Sequence, residues 1–164
     1  MKAVKHVIGV VTYIGENTSE ERVNNVRKSL PTIQKLKTKD NFVFIWDNNS
    51  CGSHKSFLRE NCGFVDAVFF STKNLYDFAS MHCISEIAKA TGAEYITSVE
   101  DDMSVFNEDA IKECYSFLKD NNDCQHVKLI KFDYMNRHLY DKMSTYPEDR
   151  KSTRLNSSHE WISR

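Results

Sequence analysis

Three consecutive carboxylates, Glu100-Asp101-Asp102, close an apolar run that begins near Glu94. Side by side they repel one another and destabilise the chain unless water or a cation neutralises them. The natural partner of such a cluster is a divalent ion, and oxygen-only ligands select Mg2+ or Mn2+ rather than zinc. These ions keep part of their water shell and take phosphate oxygens as further ligands, so the cluster points to a nucleoside diphosphate. No GxxxxGK[ST] loop and no GxGxxG turn is present to cradle phosphates by backbone alone.

Two more polar clusters stand where apolar runs stop: Thr12-Tyr13, and Asp47-Asn48-Asn49-Ser50. In open α/β sheets ligands bind beyond the carboxyl ends of the strands, so three such clusters on one edge would make one site. Each also has a plain structural reading. Acids after a strand suit the positive end of the next helix, Asp-Asn-Asn is ordinary turn chemistry, and Tyr13 could seal a sheet edge. His82, on a helix face, is expected to be packed and hydrogen-bonded rather than a ligand.

The elements that must position these residues follow from periodicity. Val4 to Tyr13 reads as a buried parallel strand, with Gly15 and Asn17 in the loop after it. Thr18 with Glu21 has capping-box spacing, so a helix should start there, with Val23, Val26, Leu30 and Ile33 as its apolar stripe and Pro31 ending or kinking it. Asn41 to Trp46 is the second strand, a short helix is expected near Lys55 to Glu60, and Phe64 to Phe70 is the third strand. The helix from Leu75 carries Leu75, Phe78, Ala79, His82, Cys83, Ile87 and Ala90 on one face and stops at Gly92. Glu94 to Val99 is the next strand. Asn107 caps a helix facing the core with Ala110, Ile111, Cys114, Phe117 and Leu118, and Val127 to Phe132 is a further strand. Phe42, Phe44, Trp46, Phe69, Phe70 and Phe78 are core by default. Regular alternation of strand and helix predicts a three-layer α/β/α sandwich with a mainly parallel sheet.

Composition narrows the function. The 164 residues, 40% hydrophobic, suffice for one core, and a net charge of -1 offers no field to attract nucleic acid or an anionic membrane. No run approaches the roughly 20 apolar residues of a membrane span, and the amino terminus reads as a strand rather than a signal peptide, so a cytoplasmic location is expected. Cys51, Cys62, Cys83, Cys114 and Cys124 form no CxxC pair and no even set, which predicts reduced, packed thiols. From Lys151 the chain is polar and aperiodic. It resembles translated sequencing-adapter read-through, so residues 151-164 are expected to be a non-native, disordered tail, with residues 1-150 the domain and the native chain continuing past about Arg150.

The strand with Thr12-Tyr13, the strand ending in Asp47-Asn48-Asn49-Ser50 and the strand ending in Glu100-Asp101-Asp102 together resemble the GT-A fold of family 2 glycosyltransferases, over roughly Lys5 to Tyr134. The resemblance implies a Rossmann-like nucleotide-diphospho-sugar transferase fold, here incomplete, and a DxD-like metal motif. It implies that Thr12 and Tyr13 line the base pocket, that Asp47 binds a base edge, and that Asp101 and Asp102 face ribose and metal, with Asp102 the direct metal ligand and Glu100 its helper. Asn49 and Asn74 are implied nucleotide contacts. The chain departs from the family at Met81-His82, where an Arg-Asn pair is usual, at Tyr76, where glycine is usual, and at Glu100, usually aspartate.

The implied activity is metal-dependent transfer of a sugar from a UDP- or GDP-sugar to a saccharide or other acceptor hydroxyl, with Mn2+ or Mg2+ as Lewis acid. In the family the catalytic base comes from the second half of the domain. Asp133 and Asp141 are available acids, but no spacing nominates them, so this chain is expected to bind donor and transfer poorly. Two alternatives stand beside this reading: a nucleotidyltransferase of similar sheet, disfavoured because Gly15-Glu16-Asn17 lacks basic residues, and a truncated, non-catalytic nucleotide-binding domain.

Overall fold

The computed structural model describes residues 4–104, 109–121, 126–130, 153–156 and 160–163, with backbone alone for 77–81, 110–111 and everything from 126 onward. Strand β1 (His6–Thr12) lies between β2 (Asn41–Asp47) and β4 (Tyr95–Glu100), and β3 (Ala67–Phe70) forms the outer edge. All three pairings are parallel, with Thr12 opposite Asp47 and Val11 opposite Glu100. That register brings the carboxyl ends of three strands to one edge.

Alternation along the strands builds a core on each face. Ile8, Val10, Val43, Ile45 and Val99 pack on one side with Val26 of α1 (Glu20–Ser29), Leu58 of α2 (Gly52–Asn61), and Cys114 and Leu118 of α4 (Asp109–Asp120). Val7 and Phe44 pack on the other side with Ile84 and Ala88 of α3 (Tyr76–Thr91). Helices therefore cover both faces of a mainly parallel sheet, the three-layer arrangement expected. Gly9 is what lets α3 come so close: a Cβ there would stand 2.5 Å from Ile84 Cγ1 and 2.8 Å from Phe44 Cζ.

Several local expectations shift. The cap of α1 is Ser19, whose Oγ accepts from Arg22 N, while Thr18 Oγ1 instead accepts from Gly15 N and closes the loop before it. Pro31 acts as expected: α1 stops at Ser29 and the chain continues as a 3-10 helix, Leu30–Leu36. The core face of α3 is rotated from the expected one, since Ile84 is fully buried whereas His82 and Ala90 face solvent. His82 is thus not the packed histidine expected. Phe69 is also exposed, because β3 is an edge strand with a neighbour on one side only. Phe78, Ala110 and Ile111 lie outside the described side chains, and Asn107, Cys124, Asp133 and Asp141 lie outside the described residues.

Beyond β4 the sheet continues with β5 (His126–Ile130), β6 (Thr153–Asn156) and β7 (Glu160–Ser163), in the order β4-β7-β5-β6. β7 runs antiparallel to both β4 and β5. The sequence reading expects no regular structure after Lys151, whereas eight residues of that segment are strand here. Backbone pairing with β4 and β5 supplies the order that side-chain periodicity did not foreshadow.

Candidate nucleotide and metal site

The edge is built from β1 outward. After Thr12 the chain turns away, and backbone bonds tie the exposed loop to its neighbour: Asn48 N donates to Thr12 O at 2.9 Å and Cys51 N to Ile14 O at 2.7 Å. Ile14 N donates in turn to Ser50 Oγ at 3.0 Å. Asp47, fully buried, accepts from Ser50 N at 3.2 Å and faces Lys55 Nζ at 4.0 Å. Its carboxylate is buried and shapes the turn. Asn49 closes this turn in the left-handed region (φ 66°), with its Oδ1 accepting from Lys55 Nζ. Asn48 is the hinge to α3: Oδ1 accepts from Leu75 N and Nδ2 donates to Asn74 Oδ1, each below 3 Å.

At the β4 end, strand alternation separates the three acids. Glu100 continues the face of Ile96 and is exposed, whereas Asp101 continues the face of Thr97 and Val99, which Thr12 and Asp47 share, and is buried. Asp101 accepts from Tyr13 N at 3.3 Å and from the Thr12 hydroxyl, so it pins the end of β1. Burial pushes its carboxyl up, against the opposing pull of the Thr12 hydrogen bond and of Arg22.

Beneath Thr12 lies His54, also fully buried, with Nε2 2.9 Å from Thr12 Oγ1. Its other ring nitrogen, Nδ1, is buried without a partner among the described residues. Burial lowers this histidine to about 4, offset in part by Asp47, so at neutral pH it is uncharged.

The residue that organises the acids is Arg22, in the first turn of α1. One guanidinium spans two of them: Nη2 lies 2.5 Å from Asp101 Oδ1 and Nη1 2.5 Å from Asp102 Oδ2. Sequence reading missed it, although a signal existed. A cation in the first turn of a helix opposes the dipole, and Arg22 follows Glu20 and Glu21, which suit that position. Such a residue needs an anionic partner.

The structure thus brings Thr12, Tyr13, Asp101 and Asp102 together, sets Asp47 and Asn49 in the adjoining turn, and links Asn74 to that turn. It leaves Glu100 on the opposite face. Among the described residues no group of three or more His, Cys, Asp or Glu side chains is gathered for a metal. The pair Asp101 and Asp102, drawn within reach of one guanidinium, still fits an oxygen-preferring cation that takes its remaining ligands from phosphate and water, provided Arg22 leaves. Tyr13, Leu75 and Tyr76 are exposed around the edge, and Tyr76 holds a left-handed backbone (φ 57°).

No protein-family model and no curated protein sequence matches the chain. Solved structures do. A mannosyltransferase from Pyrobaculum calidifontis, in complex with GDP-Man and Mn2+, superposes with a TM-score of 0.69 at 14% identity over 97% of this chain and 44% of its own. Glucosyl-3-phosphoglycerate synthase from Mycobacterium tuberculosis does so at 0.57 and 11% identity, over 97% of this chain and 56% of its own. TarS residues 1-349 from S. aureus, in complex with UDP, matches at 0.55 and 14% identity, over 78% of this chain and 36% of its own. The chain has the GT-A fold. It spans between about a third and just over half the length of these structures. In GT-A terms Thr12, Asp47 and Asp101 stand on one face of the carboxyl edge of β1, β2 and β4. No described helix is long and apolar enough to cross a membrane.

Proposed function

We propose that the chain is the donor-binding part of a metal-dependent glycosyltransferase that takes a UDP- or GDP-sugar and glycosylates an acceptor hydroxyl. The observation that carries this reading is the paired carboxylate Asp101-Asp102 at the strand edge beside the exposed Tyr13, within a GT-A sheet. Tyr13 offers a ring for a base to stack on. Thr12 and His54 act from below, fixing Asp101 toward the ribose side. Asn49 and Asn74 border the base pocket, and Asp47 holds the turn that carries Asn49. Asp102, the more exposed acid of the pair, is the ligand for Mn2+ or Mg2+. A cation held there supplies Lewis-acid stabilisation of the departing nucleoside diphosphate. The base that deprotonates the acceptor comes from elsewhere, so the chain alone binds donor and transfers little.

The mannosyltransferase with GDP-Man and Mn2+ and the TarS complex with UDP support the ligand class. A nucleotidyltransferase is the second reading, favoured by a CTP complex of CMP:2-keto-3-deoxy-manno-octonic acid synthetase with a TM-score of 0.51 at 11% identity. The loop Gly15-Glu16-Asn17 weighs against it, having no cation for a triphosphate.

Thermal unfolding separates the two. UDP- or GDP-sugars with Mn2+ should raise Tm in a concentration-dependent way, by about 2.7 kcal/mol of stability at a hundredfold excess over Kd, and Asp102→Ala should abolish the shift. Stabilisation by CTP or another triphosphate alone would favour the second reading. No shift with any UDP- or GDP-sugar would overturn the first.

A further inference from the structure

Arg22 has no place in the donor-site roles just given, yet it occupies the position between Asp101 and Asp102 that a cation would take. We propose that Arg22 is an internal counter-ion that closes the Asp101-Asp102 pair to free metal and is released to the diphosphate when nucleotide binds, so that metal and nucleotide enter together. The proposal rests on the donor-site reading for its second half, and on geometry alone for its first.

The guanidinium bridges rather than pairs. Its two terminal nitrogens each hold a different carboxylate at 2.5 Å, so a metal ion cannot gather both acids while Arg22 stays. With Arg22 in place the three side chains sum to one negative charge, and without it to two, which is the larger attraction for a divalent ion. The arginine is also open to solvent. Its side chain is 36% exposed, it springs from the first turn of α1 at the mouth of the edge, and its partner Asp102 is 39% exposed. Its departure needs a new anionic partner, and the planar fork of a guanidinium matches phosphate oxygens as well as carboxylates. A diphosphate arriving at this edge supplies both that partner and the remaining metal ligands.

The prediction is a reversal of sign. In Mn2+ titrations of the whole chain followed by electron paramagnetic resonance, wild type binds Mn2+ alone weakly, and Arg22→Gln binds it at least tenfold more tightly, with the gain removed in Arg22→Gln/Asp102→Asn. With UDP or GDP added the order inverts, and wild type binds the Mn2+-nucleotide pair more tightly than Arg22→Gln. Arg22→Lys, a point charge unable to span two carboxylates, falls between them in both titrations and guards against a folding defect in the glutamine variant. An Arg22→Gln chain that binds Mn2+ alone no better than wild type overturns the counter-ion role. Tighter Mn2+ binding by Arg22→Gln with no UDP or GDP binding in wild type upholds that role, and overturns the hand-over together with the donor reading.

Discussion

The turn after β2 and the turn after β4 each carry an acid at the same edge, on either side of β1, yet they are held in opposite ways. Asp47 is fully buried and fixed by the amide of Ser50, within a set of short hydrogen bonds that join Thr12, Ile14, Asn48 and Cys51. Asp102 is partly exposed and held by one arginine whose side chain also reaches solvent. Directional bonds to backbone make a permanent shape, whereas a half-exposed ion pair can be traded for another ligand. An acid at a strand's end is therefore a candidate ligand in proportion to how replaceable its present partner is.

The sharpest challenge to that contrast is a pair of alanine substitutions. Asp47→Ala leaves the buried Ser50 amide without its acceptor and Lys55 without its anion, and should cost about 2–4 kcal/mol in urea unfolding at neutral pH. Asp102→Ala removes an exposed pairing and should cost about 1 kcal/mol or less. Equal losses would show that both turns are structural and would remove the physical reason for placing a ligand at the second.

Acid titration probes the support beneath the first turn. His54 is neutral in the folded chain down to about 4, whereas in the unfolded chain it takes a proton near the ordinary value of 6.5. Between these values the unfolded state binds more protons, so the contribution is fully present above pH 6.5 and is lost as pH falls towards 4. At pH 5 the loss amounts to at most about 2 kcal/mol at 1.36 kcal/mol per pH unit. His6, buried and pushed down to about 3, adds a loss of the same sign. His54→Gln should flatten the stability profile between pH 7 and 5 relative to wild type while leaving His6's share. A profile unchanged by that substitution would mean that His54 is not the group titrating under Thr12.

How much of this could be read beforehand depends on the range of the interaction. Strand and helix alternation, the buried runs of β1 and β2, the stop at Gly92 and the convergence of polar clusters on one edge are local or period-encoded, and they stood in the sequence. Glu100 could have been set apart by the same period, because adjacent strand residues face opposite sides. Arg22 could not be placed with Asp101 from spacing, since the two are 79 residues apart with three strands between; only its awkward position in a helix's first turn hinted at a partner. Burial of Asp47 was equally invisible, because the turn it shapes with Ser50 is also tied to Ile14, 33 residues before Asp47, through a bond no spacing announces.

The smallest effect concerns Tyr76, which borders the tightly bonded turn yet carries strain. Its backbone is left-handed, the residue is 77% exposed, and its amide donates to Asn74 Oδ1 at 2.9 Å, so the bonds from Asn48 and Asn74 hold it in a conformation an L-residue adopts at a cost of about 1–2 kcal/mol. Glycine takes that conformation freely but gives the unfolded chain more freedom, worth about 0.4–1 kcal/mol in the other direction. Tyr76→Gly should therefore stabilise the chain by about 0.5–1 kcal/mol, read as a higher urea midpoint at unchanged slope. Because the exposed ring packs on little, no lost burial should mask the gain. If glycine instead destabilises the chain, the ring is contributing contacts that offset the strain, and the turn after β2 extends its fixed region as far as the start of α3.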